Sequence, residues 1–291
     1  MILKELKQEM HSHLINNILR FWLDRMIDND NGGFYGRIDG NDNVVADAEK
    51  GAILNARILW AFAAAYRVIG NKEYLDAALR AKDYILNLFI DKQYGGVYWS
   101  LNADGTPKDT KKQSYAIGFT IYGMSELARA TGDREALECA LNLYHSIEEH
   151  AFDAKNNGYI EALTRDWQPI ADMRLSDKDE NGSRTMNTHL HIIEPYTNLY
   201  RACPSAELKE RLVNLLHIFT DKLLNKQTHH LDLFFNDEWQ GKRNIQSFGH
   251  DIEASWLLHE TALVLGDNDI LEWIEPVVKD IAVAADEGLL P

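Results

Sequence analysis

Only two cysteines, Cys139 and Cys203, occur in 291 residues. Their spacing fits neither a metal site nor a dithiol redox motif, so a reduced protein is the natural reading. Positive charge is also scarce: 30 Lys and Arg stand against 45 Asp and Glu, a net charge of −15. That balance argues against nucleic acid or an anionic membrane surface as partner. The acidic residues are spread along the chain, as solvated outer helices would have them. No segment approaches 18 uncharged apolar residues, so no membrane span is expected. The opening Met1-Ile2-Leu3-Lys4-Glu5-Leu6 lacks the apolar core of a signal peptide, which predicts a cytoplasmic location. There is no phosphate-cradling glycine loop, serine nucleophile elbow or dinucleotide fingerprint. The chemistry left is acid–base work on a neutral polar substrate, and no metal site is expected.

What the chain does have is a phrase repeated four times. A glycine- and aromatic-rich turn is followed by a polar loop, then by an apolar helix that opens on polar residues. The turns are Gly32-Gly33-Phe34-Tyr35, Gly95-Gly96-Val97-Tyr98-Trp99, Asn157-Gly158-Tyr159-Ile160 and Leu231-Asp232-Leu233-Phe234-Phe235. Gly33, Gly96, Gly158 and Asp232 follow one another at 63, 62 and 74 residues. A period of that size marks a repeat architecture. Helices are predicted over 3–27, 73–90, 133–150, 205–224 and 268–286 as an outer set, amphipathic where the pattern is clearest. Those over 50–69, 113–130, 186–203 and 247–265 belong inside, the first being apolar nearly all round. The alternation predicts an all-α toroid with short β-hairpins, a single domain over 1–291; an open solenoid is the rival. The irregular, charged stretch 164–183 is long enough to predict a mobile lid. A monomer is expected.

Each inner helix starts with polar side chains that a buried helix should not want. The first has Lys50 and Arg57; the second Gln113, Ser114 and Tyr115. The third has Asn187, His189, His191 and Glu194; the fourth His250, Asp251 and Glu253. His250 and Glu253 share a helix face at spacing three. A carboxylate beside an imidazole raises its basicity, as a general base requires. His191 and Glu194 repeat the pattern, and Asn187 shares their face. His189 points elsewhere and reads as a packed histidine. Arg57 would stabilise an oxyanion or bind a sugar oxygen; the alternative is a buried structural salt bridge. Tyr115 is read as core or site. A di-metal centre needs several inward carboxylates, whereas the inner helices offer Arg57 and Tyr115.

The segments Ala56-Arg57-Ile58-Leu59-Trp60, Met186-Asn187-Thr188-His189-Leu190-His191-Ile192-Ile193-Glu194 and Phe248-Gly249-His250-Asp251-Ile252-Glu253-Ala254-Ser255-Trp256 resemble those of the N-acylglucosamine 2-epimerase superfamily. The resemblance runs over essentially the whole chain. It implies an (α/α)6 barrel, about nine of its twelve helices present before the chain stops at Pro291. It implies cofactor-free epimerisation at C2 of the reducing-end glucose of a β-1,4-linked disaccharide, through a cis-enediolate. It assigns His250 as a catalytic base supported by Glu253. Arg57, Tyr115, Asn187 and His191 would hold the sugar, and a second catalytic histidine would lie downstream. Rivals are an N-acylglucosamine 2-epimerase, a mannose-type aldose–ketose isomerase, a glycoside hydrolase and a non-catalytic sugar binder.

Overall fold

The computed structural model describes residues 2–242 and 245–289. A first rod comprises α1 (Ile2–His13) and α2 (Arg20–Arg25), joined through a widened turn at Leu14–Leu19. Then come α3 (Ala52–Ile69), α4 (Lys72–Tyr84), α5 (Ser114–Thr131), α6 (Arg134–His150), α7 (Met186–Ala202), α8 (Ala206–Ile218), α9 (Phe248–Leu265) and α10 (Asn268–Ala285). Helices α3, α5, α7 and α9 pack side by side as an inner arc, and α4, α6, α8 and α10 follow them outside. The expected alternation of inner and outer helices is therefore present. Apolar residues from Leu19 to Ile281 form one continuous core. At the two ends of the arc apolar side chains stand exposed: Leu6, Met10 and Ile18 on the first rod, Ile252, Trp256 and Leu263 on α9.

The inner-to-outer junctions are written locally. Gly70, Gly132 and Gly266 end α3, α5 and α9 in the left-handed conformation, with φ of 79°, 75° and 66°. That conformation costs glycine little and any β-carbon-bearing residue more. The next residue but for the third repeat is already a cap: Asn71, Asp133 and Asp267 accept the amides of Glu73, Ala136 and Asp269. Ser205 caps α8 on Leu208. Each side chain satisfies one of the amides that a helix start leaves open.

Among the described residues, nine short strands lie at the other end. They are β1 (Lys50–Gly51), β2 (Ser100–Leu101), β3 (Pro107–Asp109), β4 (Lys112–Gln113), β5 (Phe152–Asp153), β6 (Gly158–Tyr159), β7 (Ala162–Leu163), β8 (Arg184–Thr185) and β9 (Phe234–Phe235). The strands leading into α3, α5 and α7 pair antiparallel with the hairpin of the next repeat: β1 with β2, β4 with β7, β8 with β9. The first amide of each of these three helices then donates to that same hairpin. Ala52 N–H bonds to Trp99 O at 3.0 Å, Ser114 N–H to Glu161 O at 3.1 Å, and Met186 N–H to Leu233 O at 2.9 Å. Neither Gly51 nor Gln113 caps its helix with a side chain; the neighbouring repeat does so with backbone.

A buried ion pair locks each of the first three turns. The Oδ1 atoms of Asp28, Asp91 and Asp153 each accept two amides of their own turn. Their Oδ2 atoms accept from Lys50 at 2.8 Å, Lys112 at 3.0 Å and the Arg184 guanidinium. Lys50 and Lys112 are almost completely buried. Burial alone would push the Asp28 carboxyl up, but the bonds from Lys50 and the Asn31 amide outweigh it and hold it below the ordinary range. In the fourth turn Asn225 replaces the aspartate, and His230 pairs with Asp251 at 2.8 Å. Two polar residues at inner-helix starts thus have structural work: Lys50 and Asp251 belong to this frame.

Candidate active site

The frame brings the N-terminal halves of α3, α5, α7 and α9 to one cleft. Arg57 Nη2 lies 3.4 Å from the Tyr115 hydroxyl, and its guanidinium sits 4.3 Å above the Phe119 ring. Tyr115 meets His191 edge to face, ring centroids 4.8 Å apart. His191 Nδ1 is 3.0 Å from Glu194 Oε2, and its Nε2 is 3.8 Å from Glu253 Oε1. Asn187 and His250 line one small cavity of about 70 Å³ beneath 173–182. On the other side of Arg57 a larger open cleft of about 800 Å³ runs past Asp47, Glu49 and Lys108. Arg57, Tyr115, His191 and Glu253 thus form one line of contacts across the four inner helices, while Asn187 and His250 share the small cavity.

Two details differ from expectation. His250 and Glu253 do not bond to each other. The His250 Nδ1 is 2.8 Å from Ser247 Oγ, and Glu253 reaches across to His191 on α7. Spacing of three puts two side chains on one helix face, but a close neighbouring helix offered Glu253 a nearer imidazole. Arg57 is exposed and, among the described residues, makes no salt bridge; its partners are a phenol and an aromatic face. That removes the reading of Arg57 as a buried structural ion pair. Burial pushes the Tyr115 phenol up to about 12, against the opposing pull of Arg57. The hydroxyl keeps its proton at neutral pH and can donate it to a developing oxyanion.

His189 is the packed histidine expected. Its Nδ1–H donates to Thr185 O at 2.7 Å, and Nε2 accepts the Tyr159 amide at 3.0 Å. With both nitrogens committed and the ring buried, its pKa falls to about 4, desolvation being the main cause.

A kink places His191. Pro195 has no N–H for the His191 carbonyl four residues back, and its ring crowds that oxygen. The backbone at His191 accordingly leaves helical geometry, with φ −90° and ψ 17°. The displaced carbonyl turns toward α5, where a β-carbon on Gly118 would stand 2.3 Å from it. Only glycine admits this approach. In an ordinary helix interior Gly→Ala would stabilise by roughly 1 kcal/mol. Gly118→Ala is expected to do the reverse, costing about 2 kcal/mol through overpacking and lowering kcat/KM about tenfold as His191 is displaced. Thermal unfolding with steady-state kinetics checks this; a stabilised, fully active variant would mean the contact is slack.

The stretch 164–183 is tied down in part. Arg165 bonds to Asp91, and the Trp167 indole to Tyr94 O at 2.7 Å. Further on, Gln113 Nε2 donates to Met173 O and Arg174 O, so the second half sits over the cavity that Asn187 and His250 line. Sequence reasoning missed Glu161, a buried residue that lines the same cavity. Once the strand pairings align the hairpins, the equivalent positions carry Trp99 and Leu233.

The N-acylglucosamine 2-epimerase (GlcNAc 2-epimerase) family pattern matches residues 33–288. The cellobiose 2-epimerase of Bacteroides fragilis is 61% identical over 284 residues, covering 98% of this chain and 72% of its own length. That of Ruminococcus albus is 40% identical over 270 residues, covering 93% of this chain and 68% of its own. The solved cellobiose 2-epimerase of Bacillus thermoamylovorans superposes with a TM-score of 0.93 at 39% identity, over 98% of this chain and 72% of the other. The helices described above are those of an (α/α)6 barrel, and the chain belongs to the N-acylglucosamine 2-epimerase family.

Proposed function

We propose that this protein is a carbohydrate epimerase that inverts C2 of the reducing-end glucose of a β-1,4-linked disaccharide, converting cellobiose to glucosyl-mannose. The observation that carries the reading is the unbroken line of contacts Arg57–Tyr115–His191–Glu253 across four inner helices. It sets hydrogen-bond donors, an imidazole and a carboxylate side by side, as acid–base work on a neutral sugar needs.

The ring opens to the aldehyde. His250 takes the C2 proton, and the C–H electron pair moves into a C1–C2 double bond while charge builds on O1. Arg57 and the protonated Tyr115 stabilise that oxygen, and Asn187 and His191 hold the neighbouring hydroxyls. A second acid on the opposite face, the histidine that the resemblance places downstream, returns a proton to C2 as the C1–C2 electron pair forms the new C–H bond and O1 becomes carbonyl again, which gives the mannose configuration with no net redox change. Donors fixed before the charge develops make the largest electrostatic contribution to such a step.

In heavy water the product mannose unit should carry deuterium at C2, read by proton NMR. Cellobiose that binds but neither exchanges nor converts would leave only a sugar-binding role. Conversion of N-acetylglucosamine in preference to cellobiose would shift the substrate within the family.

A further inference from the structure

Glu161 is a buried carboxylate without a basic partner among the described residues. It lies between β6 and β7 and is almost fully enclosed. Both of its oxygens are committed to the first turn of α7. Thr188 Oγ1 donates to Oε1 at 2.6 Å, and Thr185 Oγ1 donates to Oε2 at 2.8 Å. Thr185 is also the cap of α7, its oxygen accepting the Thr188 amide at 3.0 Å. With its proton directed at Glu161, the Thr185 hydroxyl presents a lone pair to that amide. The carboxylate thus orients the cap from beneath.

Between the two threonines sits Asn187, and His191 follows one turn on. Asn187 Oδ1 is buried with no hydrogen-bond partner among the described residues, and Asn187 lines the cavity together with Glu161 and His250. A buried amide oxygen without a partner is unfavourable, so its orientation needs support from its neighbours. The repeat gives an internal comparison. Trp99 and Leu233 occupy the position of Glu161 in the adjoining hairpins, with the same backbone bond to an inner-helix amide. Apolar residues suffice there for folding. Of these three positions, Glu161 alone bears a charge-bearing side chain.

We infer that Glu161 is a positioning residue for the epimerase, setting the first turn of α7 and hence the aim of Asn187 and His191 into the cleft. The inference rests on the epimerase reading above. Holding a carboxyl there has a cost. Burial pushes Glu161 up to about 7, and Asp179 adds to the rise. Arg174, Asp179, Glu180 and His250 are the other charged or titratable groups lining the cavity. Since the folded pKa lies above the unfolded one, the native state binds the extra proton. Stability from this group is full below about pH 4.5 and is lost as pH rises through about 7.

Glu161→Gln keeps the shape and removes the charge. It is expected to lower kcat/KM for cellobiose about tenfold. Its Tm should meanwhile equal or exceed that of the unmodified protein at pH 8, with the difference shrinking at pH 5. Thr188→Val, which deletes one of the two hydroxyl contacts, should reproduce the kinetic loss. A merely structural role would lower Tm and activity together at both pH values, and that result, or unchanged kcat/KM, would overturn the inference. If the unmodified protein fails to exchange C2 at all, the epimerase reading fails separately. The positioning is then read from the His191 imidazole NMR signals without sugar. A shift in Glu161→Gln supports it; unmoved signals overturn it.

Discussion

His250→Ala is expected to lower kcat for cellobiose epimerisation about a thousandfold, close to 4 kcal/mol of transition-state stabilisation. Sugar affinity should stay within about threefold. A base acts on the proton only as it leaves carbon, so its removal is felt in the transition state far more than in the bound sugar. The imidazole is oriented by Ser247 and lines the cavity that Asn187 shares. Ser247 replaces Glu253 as the orienting group, which makes a second, sharper expectation. Glu253→Gln should cost less than His250→Ala, because its nearest imidazole is that of His191. Kinetics for conversion, NMR for C2 exchange and calorimetry for binding together separate the roles. Wild-type conversion by His250→Ala would move the base elsewhere.

Lys50→Met is expected to destabilise the fold by about 4 kcal/mol, the usual cost of leaving one half of a buried ion pair alone. Asp28 is completely buried, and its remaining partners would be the amides of Asp30 and Asn31 and the Asn31 side chain. At the size of this chain that corresponds to a fall in Tm of about 10 °C. Adding Asp28→Asn should restore much of the loss, since the orphaned charge goes with its partner. The pH dependence has a definite sign. The Asp28 pKa is depressed in the fold, so its contribution is present above about pH 4 and lost as pH falls through the folded value. The unmodified protein should therefore lose stability in acid more steeply than the double variant. A single variant with unchanged Tm would mean that the turn is held by its amides alone.

The order and kind of elements were readable from local rules. Helical periodicity separated inner from outer helices, and Gly70-Asn71, Gly132-Asp133 and Gly266-Asp267 marked the junctions where one helix ends and the next is capped. These signals act within a few residues, so sequence carries them. The types of site residue were readable too, because polar groups at the start of an apolar helix need a reason. Their partners were not. Which imidazole Glu253 meets depends on the distance between α7 and α9, and that depends on packing over the whole arc. The same limit explains why Lys50 and Asp251 looked like site residues: each is buried by a partner in a different hairpin, Asp28 in one case and His230 in the other. Glu161 is the clearest instance. By itself it is one glutamate among many acidic residues. Only the strand pairing that places it beneath Thr185 and Thr188 turns it into a buried carboxylate at the start of α7. Sequence by itself determined the elements, their alternation and the chemical types at the cleft, since those follow from local propensity and period. Tertiary structure alone decided which side chains meet, because hydrogen bonds are made over about 3 Å between residues that the chain separates by dozens of positions.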